Sequence, residues 1–265
     1  MATQLLPLAA LQKMRRHLQT TLTVPALENN PGQAVLDGKA PQTLGELVNM
    51  FQGPAALEIA GDRAPNREGR WFVSSINPGD ALLQLKGLTV KPGWRLVPYL
   101  LRTEDGGVGH ICAVPEDGTT TTALESALPE GTEWHYPPFP TGAMHHAMMA
   151  LEGDRSLGSY MIASMLQREM KEFGALGKDR EFAHHRLVDK VPPQVKWRWK
   201  GKAAKNFAPK VNVTDQGAAV EFFSCRTQKP YALYRHFDRY GLDGYLPESK
   251  DEAIAIASDE PAAIA

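Results

Sequence analysis

Between Arg70 and Val114 the hydrophobic pattern breaks into short pieces, and this constrains the fold more than any other feature of the chain. Arg70 to Ile76, Ala81 to Leu85, Trp94 to Arg102 and Val108 to Val114 are apolar and rich in β-branched or aromatic residues. Asn77-Pro78-Gly79-Asp80, Lys91-Pro92-Gly93 and Glu104-Asp105-Gly106-Gly107 separate them. Connectors this short join antiparallel neighbours and leave no room for a crossover helix. The segment therefore predicts a meander of about four antiparallel strands, with a glycine-rich hairpin at Gly106-Gly107.

Helical spacing precedes and follows this meander. Leu5, Leu8, Leu11, Leu18 and Leu22 recur at helical intervals across residues 3 to 22. Thr43 and Glu46 form a capping box ahead of Leu47, Val48 and Phe51, with Gly53-Pro54 as the stop. A short helix is expected from Thr121 to Leu128. The proline-rich stretch 129 to 142 reads as a connector packed down by Trp134, Tyr136 and Phe139. Two helices are expected after it, Thr141 to Glu152 and Ser156 to Gly174, the second with a broad apolar face around Met161, Ile162, Met165 and Leu166.

Strand patterning returns at Gln194 to Lys200, Ala208 to Val213 and Ala218 to Arg226. Tyr231 to His236 fits strand or helix, and Ser249 with Glu252 reads as a capping box opening a terminal helix. The fold class expected is α+β, with helices followed by antiparallel meanders in both halves and no doubly wound parallel sheet. The divisions expected are 1–130, 141–245 and a short acidic helix or tail over 246–265.

The two cysteines, Cys112 and Cys225, have no CxxC spacing and read as free buried thiols of a reducing cytoplasm. Near the start, Lys13, Arg15 and Arg16 follow the apolar stretch rather than precede it, the reverse of a secretory signal. No apolar run is long enough to span a membrane, so no membrane insertion is expected.

Charge is where the sequence becomes specific. The formal net charge of −1 is a cancellation. Residues 178 to 210 hold ten Lys/Arg against three acids, +7, while the remainder carries −8. Within that region, Val195-Lys196-Trp197-Arg198-Trp199-Lys200 alternates so that a strand turns the indoles to one face and Lys196, Arg198 and Lys200 to the other. Lys202 and Lys205 extend the basic run. Arg235 and Arg239, among Tyr231, Tyr234, His236, Phe237 and Tyr240, form a second basic and aromatic group that would hold an anion together if helical.

This pattern points to a non-catalytic binding or assembly protein that docks an acidic protein partner. A nucleic-acid binder using the same surface is the alternative, although tryptophans turned inward are no stacking platform. An enzyme is the third reading, with a site gathered from His110, Cys112, His184, His185 and His236. Phosphate-loop, dinucleotide, nucleophile-elbow and zinc-protease motifs are absent from the sequence. His145 and His146, read as helical neighbours, would point about 100° apart and so not share a metal. Glu181 with His184 has the spacing of a carboxylate-bridged metal pair but no second copy. No cofactor and no metal are expected.

Overall fold

A computed structural model describes residues 2–29, 69–103, 106–129, 135–177, 180–193 and 195–258. The expected helix at Thr43 to Phe51 and the side chain of Trp134 lie outside the described residues. The class is α+β, and every strand pairing among the described residues is antiparallel.

The elements run in the order β1 (Ala2–Leu5), α1 (Leu8–Thr21), α2 (Ala26–Asn29), β2 (Trp71–Val73), α3 (Asp80–Leu83), β3 (Leu88–Val90), β4 (Trp94–Thr103) and β5 (Gly106–Pro115). There follow α4 (Thr121–Glu125), β6 (Leu151–Gly153), α5 (Leu157–Lys171), β7 (His185–Val188) and β8 (Trp197–Trp199). The chain then forms β9 (Lys210–Thr214), β10 (Gly217–Arg226), β11 (Ala232–Tyr240) and β12 (Pro247–Ala257). Short 3-10 turns occupy Glu116–Gly118, Ala147–Ala150 and Phe182–His184.

The largest sheet has seven strands in the order β1-β9-β10-β11-β12-β8. β7 lies beside the second half of β10, continuing the edge that β9 occupies along the first half. β2-β4-β5 form a second sheet, with Thr103 opposite Gly106 in the expected hairpin, and β3 pairs with β6.

α5 begins where Ser156 caps it, accepting the Ser159 N–H at 3.1 Å. It is buried almost all round, because α1 covers one side and the large sheet another. One apolar core links Leu11 and Leu18 of α1, Leu100 of β4, Met161 and Met165 of α5, and Phe222 of β10. A second cluster lies between the β2-β4-β5 sheet and α4. A third, with Phe207, Phe223, Leu233 and Ala255, carries Trp197 and Trp199 on its border.

Five local expectations are corrected. Residues 2–5 leave the first helix and pair with β9, because Pro7 disfavours helix at the residue before it and so marks the true helix start. Ala81 to Leu85 is not a strand: Asp80–Leu83 is one turn of helix that buries Ala81 and Leu82 and leaves Leu83 80% exposed. Asn77 starts that turn, its carbonyl accepting the Asp80 N–H at 3.1 Å.

Thr141 to Glu152 is not a helix either. Gly142 takes φ +78°, and the segment becomes a 3-10 turn that feeds β6. The capping box at Ser249 does not open a helix but lies inside β12. In the connector before Thr141, Pro138 and Pro140 are buried, whereas Tyr136 and Phe139 are exposed rather than packed down. The segment Tyr231 to His236 resolves as strand.

Candidate functional site

Of the basic residues expected to bind, the run on β8 sits at the end of the seven-stranded order. Arg198 lies opposite Ile256 of β12, and Trp197 and Trp199 lie opposite Ala257 and Ala255. Directly opposed residues share a face, so the indoles join the third cluster. Trp199 packs 6.3 Å from Phe207, which packs 4.5 Å from Phe223, and the Trp197 Nε1–H donates to the Pro192 carbonyl at 3.1 Å. Lys196, Arg198 and Lys200 turn to the other face and are exposed, as are Lys202 and Lys205. The alternation read from sequence is therefore the one the sheet uses.

Following the register inward from Arg198, the same face carries Ile256, Ala232, Arg226 and His185 in one row. Arg226 thus joins the basic side of the sheet. Its place across from Ala232 and His185 is a matter of strand register and left no local signal.

Arg235 and Arg239 belong to the opposite face. In a strand they are four residues apart, roughly 13 Å, and so do not form the helical anion clamp. The Arg235 Nε donates to Glu221 Oε1 at 2.8 Å, and Lys210 Nζ meets Glu221 Oε2 at 2.7 Å. Arg239 is exposed.

Two of the five dispersed His/Cys candidates converge. His236 Nδ1 is 2.8 Å from Asp251 Oδ1, and its Nε2 is 2.7 Å from Ser224 Oγ. His185 Nδ1 is 2.9 Å from the same hydroxyl. Arg168 of α5 holds the acidic end, with two hydrogen bonds to Asp238 at 2.7 and 3.0 Å and two to Asp251 at 2.6 and 3.3 Å. Ser164 and Ser249 also hydrogen-bond Asp238.

The proton positions follow from the partners. An ionised Asp251 only accepts, so His236 carries its hydrogen on Nδ1 and receives the Ser224 O–H at Nε2. Ser224 then accepts from His185 Nδ1–H, which leaves His185 Nε2 as a bare lone pair. That atom is buried without a partner among the described residues. Both histidines are held neutral. Burial pushes His185 down to about 3, with His236, Arg15 and Arg226 adding to the shift, and burial lowers His236 despite its bond to Asp251. Burial works against the charges of Asp251 and Arg168. The hydrogen bonds to Arg168 and His236 outweigh it and hold Asp251 below the usual carboxylate range, while Asp238 and Asp251 raise Arg168.

The order Asp251-His236-Ser224 is that of a serine hydrolase triad. The hydroxyl is wholly buried at mid-strand, and a second histidine occupies it from the other side. The arrangement fits a polar network that joins α5 to the sheet, buried at Ser224, His236 and Asp238 and open to solvent at Asp251. Sequence reasoning named His185 and His236 but missed Ser224, Asp238, Asp251 and Arg168. The available signal was the alternation Glu248-Ser249-Lys250-Asp251-Glu252, which puts two small polar residues on the inward face of a strand.

The other candidates go elsewhere. His110 lines a cleft of about 230 Å³ with His145, His146, Gln167, Met170 and Lys171. His146 Nδ1 accepts the Met148 N–H at 3.1 Å, which leaves its proton on Nε2. Burial lowers both His110 and His146. Gly109 permits this packing, since a Cβ there would sit 2.3 Å from the Phe173 carbonyl oxygen. Gly109→Ala is expected to lower stability by about 1–3 kcal/mol in urea unfolding, through overpacking.

Cys112 directs its thiol to the Pro138 carbonyl at 3.4 Å, and burial pushes it up to about 12, far from a reactive thiolate. Cys112 and Cys225 are both free and buried. His184 uses its carbonyl to accept from Thr227. Among the described residues, no three His, Cys, Asp or Glu side chains group so as to hold a metal ion. No helix among them is long and apolar enough to cross a membrane.

Fold and site together define an α+β protein with an antiparallel seven-stranded sheet, a cationic strand at its end and a largely buried polar network beside α5. Compared with known protein families, with curated proteins and with solved structures, the chain has no significant match.

Proposed function

We propose that this chain is a non-catalytic cytoplasmic binding or assembly protein that docks an acidic protein partner through the cationic end of its large sheet. One observation carries the reading: Arg198 on β8 and the residues that flank the strand, Lys196 and Lys200, are exposed while the intervening indoles anchor that strand to an aromatic cluster. A fixed strand spares the backbone its ordering cost on binding, so more of the charges' attraction survives as affinity. Lys202 and Lys205 widen the surface, and Arg226 continues it inward. Two free buried thiols fit a reducing compartment. An acidic protein is preferred to nucleic acid because the rest of the chain carries −8 and the indoles face away from the cations.

The test is retention of the whole chain on immobilised poly-glutamate and on duplex DNA across a salt series. Binding to poly-glutamate should weaken with salt and fall about tenfold or more when Lys196, Arg198 and Lys200 are all changed to Glu. Unchanged retention of that variant overturns the reading. Preferential retention on DNA with a steep salt slope transfers the surface to the nucleic-acid alternative.

A further inference from the structure

The backbone of β8 adds a second kind of recognition to its charges. The Lys200 N–H donates to the Ile254 carbonyl at 2.9 Å, and the Ser258 N–H donates to the Lys196 carbonyl at 2.8 Å. In an antiparallel ladder alternate residues aim both backbone groups to the same side. Lys196, Arg198 and Lys200 therefore bond inward to β12, and the N–H and C=O of Trp197 and Trp199 point away from the sheet. Among the described residues no strand pairs with that outer edge.

We infer that an extended acidic segment of the partner adds to the outer edge of β8 as a further strand, carrying acids at alternate positions and β-branched apolar residues between them. The inference rests on the docking function proposed above and names the form its partner takes. A strand laid along this edge bonds the outward groups of Trp197 and Trp199. Its side chains then alternate with those of β8. One set lies beside Lys196, Arg198 and Lys200, and the other beside the half-buried indoles.

Edge lysines normally deter pairing, because a neutral or basic strand gains nothing against them and must desolvate them. Against a strand of alternating acids the same side chains become complementary. The edge thereby rejects indiscriminate pairing and selects one class of segment. A consecutive run of acids satisfies only half of this pattern, since every second carboxylate would fall on the indole face.

Fluorescence anisotropy with the whole chain and labelled synthetic peptides tests this. A peptide alternating Glu and Val should bind more tightly than one of equal composition with its glutamates in a block. Methylating the backbone nitrogens that face β8 removes the donors but keeps the charge, and should weaken binding about tenfold or more. Changing Lys196, Arg198 and Lys200 to Glu should abolish binding while the urea midpoint stays within experimental scatter.

Equal binding of the methylated peptide, lost in the charge-reversed variant, overturns strand addition and leaves charge-based docking standing. Binding indifferent to charge reversal overturns the docking function itself. No binding of the alternating peptide up to about 1 mM overturns the inference. A dimer of the chain alone that Arg198→Glu dissociates in sedimentation would assign the edge to a second copy, which also overturns it.

Discussion

Replacing Arg168 by methionine is expected to lower the stability of this protein by about 3–5 kcal/mol, read as a drop in the urea midpoint at unchanged slope. The guanidinium is 5% exposed and Asp238 is fully buried, so removing the cation leaves Asp238 as a buried charge without its counter-ion. Asp238 would keep its hydrogen bonds from Ser164 and Ser249, and Asp251 its bond from His236, but the buried Asp238 charge would lose the cation that offsets its burial. A methionine fills the volume without supplying a donor. This separates the loss of charge from the opening of a cavity.

The effect is specific to leaving one partner behind. Asp238→Asn alone should also destabilise, but in the Arg168→Met background it should cost much less, because the stranded charge is already the problem. A double-mutant cycle measures this coupling, expected to exceed about 1 kcal/mol. A loss under about 1 kcal/mol for Arg168→Met would show that the ion pair does not tie α5 to the sheet.

Acid sensitivity is the second large effect. His185 titrates at about 3 in the folded protein against an ordinary value of 6.5, and His236 is also lowered. The unfolded chain therefore takes up protons below pH 6.5 that the folded chain refuses, and stability rises with pH across this window. It should be fully present above pH 6.5 and fall below it by about 1.4 kcal/mol per pH unit for His185, with His236 adding to the loss. His185 alone then removes roughly 3 kcal/mol by pH 4. Its contribution stops growing near pH 3.

Asp251 adds a later loss. Its folded value lies below the ordinary 3.8, so its stabilisation is present above that pH and disappears as pH falls further. Urea unfolding at pH 7, 5.5 and 4.5 reads the first window. His185→Gln should flatten the curve by about one proton's worth of slope. A midpoint independent of pH between 7 and 4.5 would contradict the neutral, buried state of both histidines.

Legibility from sequence depended on whether one segment's own pattern settled its environment. The β4–β5 hairpin, the Ser156-capped helix and the alternation of β8 were readable because period, cap and turn residues agree within a few positions. The inward lie of Trp197 and Trp199 and the exposure of Lys196, Arg198 and Lys200 followed from that alternation alone. The misread segments had two compatible local states. Ser249 to Glu252 satisfies a capping box, worth on the order of 1 kcal/mol, and it equally satisfies a strand that turns Ser249 and Asp251 towards α5. Strand was selected because it carries Asp251 to Arg168 and His236 and lets β12 pair with both β11 and β8.

The candidate site divides the same way. Five cations, from Lys196 to Lys205, were legible as a surface run because neighbours in sequence remain neighbours in space along an extended chain. Arg235 and Arg239 were legible as basic but not as members of the opposite face, since a face is assigned by cross-strand register. Arg226 and the chain Asp251-His236-Ser224-His185 required that register as well.

By itself, then, the sequence determined the α+β class, the antiparallel meanders and the amphipathic cationic strand, each set by local periodicity and turn chemistry. Only the tertiary structure decided which strand borders which. With that came the meeting of Arg168, Ser224, His236 and Asp251 across four elements, and the outward aim of the Trp197 and Trp199 backbone. The physical reason is that local patterns fix which way a side chain points, whereas convergence depends on long-range packing, whose partners are not adjacent in the chain.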